Sequence, residues 1–131
     1  MSIEPRWLSL DEAIEINVQE VHETGEPHFL RDQGALDQAL HRPKWAWAYG
    51  ENDVAYLAAS LILGVARAHA FEQGNKRTAW VAGLTFAEMN GYRFSHPDAE
   101  IPGFMVESLA QGYVVEQFFG DYLAGFLVPL D

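Results

Sequence analysis

Apolar residues recur at three- and four-residue spacing along most of the chain, and the polar or glycine-bearing breaks between these stretches define the elements. Ser9-Leu10-Asp11-Glu12 sets a hydroxyl three residues before a carboxylate, the reciprocal arrangement of a helix-starting capping box. Ala13, Ile14, Ile16, Val18 and Val21 then supply the apolar positions of a first helix over about 10–23, and Thr24-Gly25-Glu26-Pro27 ends it. A shorter helix is expected over about 32–41, with Ala35, Leu36, Ala39 and Leu40 inward. Pro43, which lacks an N–H, stops it. Over 44–51 aromatic and small residues alternate (Trp45, Trp47, Tyr49). This reads either as an extended flap or as a loop held to the core by two tryptophans.

Asn52 or Asp53 caps a helix over about 54–68 that is apolar on nearly every face, as a buried helix is. Gly64 inside it permits close packing at about 1 kcal/mol of helix propensity. A second very apolar helix runs from Asn75 to about Met89, where Asn90-Gly91 stops it. Tyr92-Arg93-Phe94 reads as a short extended piece, and two further helices are expected over about 100–111 and 114–127. Helix after helix with short joins predicts one all-α domain over 1–131, with a small β element around 44–49 and 92–94.

Composition narrows the setting. A length of 131 residues fits one domain, and 49% hydrophobic residues suffice for a core. With no cysteine, disulfides and thiolate metal sites are excluded. The start, Met1 to Arg6, has no basic stretch leading into an apolar one, so no signal peptide is expected. The longest apolar run, Val54 to Ala66, falls short of the ~18–20 residues of a membrane span. A cytoplasmic protein is the simplest expectation.

The formal net charge of −11 argues against a nucleic-acid surface. It also sharpens one observation: of only 8 lysines and arginines, Lys76 and Arg77 are adjacent. Such a positive spot on an acidic protein suits a small anion, although most such pairs are simply solvated.

That pair sits where chemistry is concentrated. One buried helix ends near Ala68 and the next begins at Asn75. Gly74 lets a ligand approach the backbone, and the free N–H groups of a helix N-terminus favour an anion. Cations in a first helical turn face the positive end of the dipole and become reasonable when a phosphate lies between them. Asn75 is expected as N-cap and phosphate donor. His69 faces the same loop, and an imidazole can take up a proton near neutrality. A base, an anion cradle and a guanidinium are the parts needed to transfer a phosphoryl or nucleotidyl group to a hydroxyl. Taken singly, a histidine before a loop is more often structural; here all the parts fall within nine residues. The other histidines (His22, His28, His41, His96) lack zinc-ligand spacing, and no Walker-type loop or Gly-x-Ser-x-Gly occurs.

The string His69-x-Phe71-x-x-Gly74-Asn75-Lys76-Arg77 resembles the signature of the Fic/Doc (Fido) family, in particular its Doc, death-on-curing, branch. Fic members carry Gly where Lys76 stands and a second Arg where Trp80 stands. The stretch Leu30 to Leu40 followed by Arg42-Pro43, and Asn90-Gly91-Tyr92, also resemble Doc-like sequences, so the resemblance spans roughly 28–125. It implies a compact bundle of about six helices with a flap near 44–51. It also implies His69 as general base, phosphates of ATP or another nucleoside triphosphate on Gly74, Asn75, Lys76 and Arg77, and Phe71 as the buried residue fixing the loop. A Doc-like enzyme is expected to phosphorylate a translation elongation factor and to be neutralised by a Phd-like antitoxin, whereas Fic-like relatives transfer AMP. One departure concerns Mg²⁺: the family has a carboxylate where this chain has Gln73, whose neutral carbonyl is a weaker ligand for a hard cation. Glu72, one residue away, is the alternative ligand. The self-inhibitory pattern of the family, a Ser or Thr with Glu four residues on, is not found.

Overall fold

A computed structural model describes residues 3–130. Met1 and Ser2, part of the leader reading above, and Asp131 lie outside the described residues. The element order is α1 (Leu10–Thr24), α2 (Gln33–Ala48), α3 (Val54–Ala68), α4 (Asn75–Met89), β1 (Tyr92–Phe94), α5 (Ile101–Gln111), α6 (Glu116–Phe126) and β2 (Leu127–Pro129). The expected all-α bundle is what forms. Ser9 and Glu12 close the capping box of α1 as read, with bonds of 3.1 and 2.9 Å. Gly25 ends that helix in the left-handed conformation.

The bundle is built around α3. Ten of its residues, from Ala55 to Ala66, are buried, and α2, α4, α5 and α6 all pack on it. Its neighbours come close because glycines face them. A Cβ on Gly64 would stand 3.3 Å from the backbone of Ala39 in α2, and a Cβ on Gly83 in α4 would collide with Ile62. The open end of this packing, where α3 stops and α4 starts, is where the loop emerges.

Two expectations are corrected. Pro43 does not stop α2, which continues to Ala48 with Pro43 buried inside it. Proline removes one N–H, so the Ala39 carbonyl has no helical donor four residues on. Burial of the ring and of Leu40 against the core, and the packing of the next turn, outweigh that loss. The segment 44–48 is therefore helical and not an extended flap. Trp47 meets Trp7 edge-on at 6.3 Å, while Trp45 remains 54% exposed on the opposite side. The second correction concerns the β element. Tyr92–Phe94 is extended, but its antiparallel partner is Leu127–Pro129, in the register Tyr92↔Pro129, and not 44–49. No helix among the described residues is long and apolar enough to cross a membrane.

Candidate active site

The turn from α3 into the loop is made by His69, with φ 50° and ψ 38°, the one non-glycine residue with positive φ among those described. That conformation crowds a Cβ, yet it turns the chain so that the exposed imidazole stands over the loop. At the other end Gly74, φ 75°, starts α4. The N-cap is thus Gly74 and not Asn75, which is the first helical residue. A Cβ on Gly74 would lie 3.1 Å from Val21, so glycine is required there both for its φ and for space.

Between these turns lies an open depression of about 470 Å³ lined by Ala66, His69, Glu72, Gln73, Gly74, Asn75, Lys76 and Arg77. The first helical hydrogen bond of α4 runs from Thr78 N–H to the Gly74 carbonyl at 2.9 Å. The N–H groups of Asn75, Lys76 and Arg77 precede it and have no intrahelical partner. His69, Gly74, Lys76 and Arg77 are thus brought to one concavity, as the sequence suggested.

The Asn75 side chain does something else. Its amide closes on the Phe71 backbone from both sides, accepting from the N–H at 3.0 Å and donating to the carbonyl at 2.8 Å. Its backbone N–H and the second proton of the amide are what remain for a phosphate. Phe71 itself is fully buried, as expected of the residue that fixes the loop.

Support from beneath comes from residues that the sequence reading passed over. Asn17 of α1, 0% exposed, donates to the Gln73 carbonyl (2.9 Å) and the Thr78 hydroxyl (3.0 Å). Its oxygen is 2.7 Å from His28 Nδ1. Because the Asn17 nitrogen is already the donor of two bonds, its oxygen accepts, and His28 carries its proton on Nδ1. A signal for Asn17 was present: positions 13, 17 and 21 form the buried stripe of α1, and one of them is polar. From the other side, the extended chain at 29–32 pairs with the loop. Leu30 bridges Phe71, Glu72 N–H reaches the Phe29 carbonyl at 2.9 Å, and Arg31 N–H reaches the Ala70 carbonyl at 2.7 Å.

All three cations around the depression are paired. Lys76 Nζ lies 2.7 Å from Glu107 of α5, Arg77 Nη2 lies 2.5 Å from Glu26, and Arg31 Nη1 lies 3.8 Å from Glu72. Bonds from Lys76 and then Gln111 hold the Glu107 carboxyl below its ordinary pKa. Bonds from Thr24 and then Arg77 do the same for Glu26. Long-range partners of this kind leave no local sequence signal. Trp80, where a second arginine would stand, packs edge-on against Phe94 at 4.9 Å.

The loop's donors do not fit a protein-held divalent cation. Gln73 is exposed and neutral, and Glu72 is turned toward Arg31. Among the described residues no three His, Cys, Asp or Glu side chains converge.

A sequence profile of the Fic/DOC family matches residues 7–87, which takes in α1 to α3, the whole loop and most of α4. The chain belongs to the Fic/DOC family. Among curated proteins it is similar to a Toxin Doc of Mycolicibacterium smegmatis, 45% identical over 69 residues. That alignment covers 50% of this chain and 52% of the relative, so the match spans about half the length of that Fic/DOC protein.

Proposed function

We propose that this Fic/DOC chain is a Doc-like toxin that moves a phosphoryl group from a nucleoside triphosphate, ATP being the first to test, to a hydroxyl of a protein target. The single observation that carries this reading is the shared concavity, in which the exposed His69 imidazole and the unpaired first-turn N–H groups of α4 meet. His69 accepts the proton of the target hydroxyl. The oxygen bonds to the γ-phosphorus as the bond to the bridging oxygen breaks, and the nucleoside diphosphate leaves with the electron pair. The N–H groups of Asn75, Lys76 and Arg77 hold the phosphate oxygens, helped by Lys76 once it releases Glu107. Phosphoryl rather than AMP transfer is favoured by Lys76 in place of glycine and by Trp80, which leaves no second guanidinium in α4. The acceptor is a translation elongation factor, and the control is a Phd-like antitoxin. The loop's own donors, the neutral Gln73 and the Arg31-facing Glu72, do not fit Mg²⁺, and none of these steps is routed through it.

Incubation with ATP labelled at the γ- or the α-phosphate, with and without Mg²⁺, separates the readings. Transfer of γ-label onto the elongation factor, abolished in His69→Ala, supports the kinase reading. Transfer of α-label alone replaces it with AMP transfer. A second reading, a phosphate-binding module without turnover, is favoured by Gln73 and by the carboxylate on every cation. It predicts no transfer by the native chain and gain of transfer in Gln73→Asp. In a bacterial host, arrest of translation by the native chain and not by His69→Ala is the cellular counterpart.

A further inference from the structure

The loop's backbone is held by main-chain pairing at Ala70, Phe71 and Glu72, but that pairing stops one residue short of the imidazole. The His69 carbonyl, at the C-terminus of α3 where helical acceptors lack donors, is bonded instead by a side chain. Arg31 Nη2 donates to it at 3.2 Å. The backbone of Arg31 is itself fixed by its N–H on the Ala70 carbonyl, so the guanidinium projects from a rigid base. Its other terminal nitrogen faces Glu72 across the loop. A cation at this position also complements the negative end of the α3 dipole. Arg31 does not belong to the lining of the depression.

We infer that Arg31 is a positioning residue. It holds the left-handed turn that aims His69, acting through the His69 carbonyl and not through contact with nucleotide or acceptor. The inference rests on the reading of His69 as the base. Its logic is selective: removing the guanidinium frees one strained turn and leaves the strand pairing, the Asn75 clasp and the helix N-terminus intact. The base is then misaimed while the phosphate cradle is unchanged.

Arg31→Ala, Arg31→Lys and the native chain are compared for γ-label transfer to the elongation factor, for thermal melting, and for the His69 imidazole signal by NMR without ligand. Expected in Arg31→Ala is a kcat lower by about 10–100-fold, with the KM for ATP within about twofold and melting unchanged. Arg31→Lys, which keeps the charge on a single nitrogen but loses the fork that spans His69 and Glu72, falls between. A raised KM at full kcat, or a loss that follows the melting temperature, overturns the inference. If the native chain transfers nothing, the transfer reading fails on its own, and the imidazole signal decides the role of Arg31. One sharp His69 resonance that splits or broadens in Arg31→Ala supports the role, and identical spectra overturn it.

Discussion

The two ends of the loop are held by different chemistry. At the Gly74 end, amides do the holding: the buried Asn17 grips Gln73 and Thr78 from below, and the half-buried Asn75 clasps Phe71. Water competes least for the buried Asn17–Thr78 bond, which is worth more than it would be on the surface. At the His69 end, a half-exposed guanidinium makes the last contact, across which solvent and salt can intrude. The end proposed to cradle phosphate is thus the more firmly held, while the end that would carry the base depends on one exposed contact. On the proposed reading, preorganisation is concentrated where charge would be received, and freedom is left where a protein acceptor would be admitted.

Perturbing each end in turn sharpens this contrast. The largest effect is expected from Phe71→Ala, which empties a fully buried site under the loop and costs about 3–5 kcal/mol in urea unfolding. Asn17→Ala removes the shared donor beneath Gln73 and Thr78 and is expected to cost about 1–3 kcal/mol in the same measurement. It should also weaken ATP binding, because the phosphate end is the one disturbed. A stable Asn17→Ala with native affinity would mean that the two ends are held alike. The smallest effect is at the rim: Glu107→Gln frees Lys76 and is expected to tighten ATP binding a few-fold by calorimetry, with stability almost unchanged. Acid should mimic it. A carboxyl whose pKa is depressed in the folded state gives its stabilisation above the ordinary carboxylate pKa and loses it as pH falls through the lowered value. The native chain should therefore approach the affinity of Glu107→Gln on acidification, and the variant should lack that transition.

Much of the fold was legible because its signals are local. The Ser9–Glu12 box, the buried pattern of 54–68 and the Asn90-Gly91 stop all act within a turn or two of the chain. The failure at 43–49 has a physical source. Residues two apart share one face of a strand but stand nearly opposite one another on a helix, so three alternating aromatics suggest a strand face although the helix spreads them over two sides. Proline tipped the choice toward the wrong one, and what overrode it, burial of the Pro43 ring and of Leu40, depends on residues distant in sequence. At the site, the residues lining the depression were readable as a contiguous motif. Arg31, Glu26 and Glu107 were not, since each reaches the loop from a distant stretch of chain. Asn75 was read for its propensity as a cap, but its clasp on Phe71 depends on the shape of the loop.

The central placement of α3 has a consequence for biosynthesis. This helix is apolar almost all round, and part of its cover is α6, where Gly120 receives Tyr56 and Phe119 and Leu123 are buried. On the ribosome, α6 emerges only after α4, β1 and α5 have been made. Until then the nascent chain displays the side of residues 54–68 that α6 will cover, the apolar strip a chaperone would grasp.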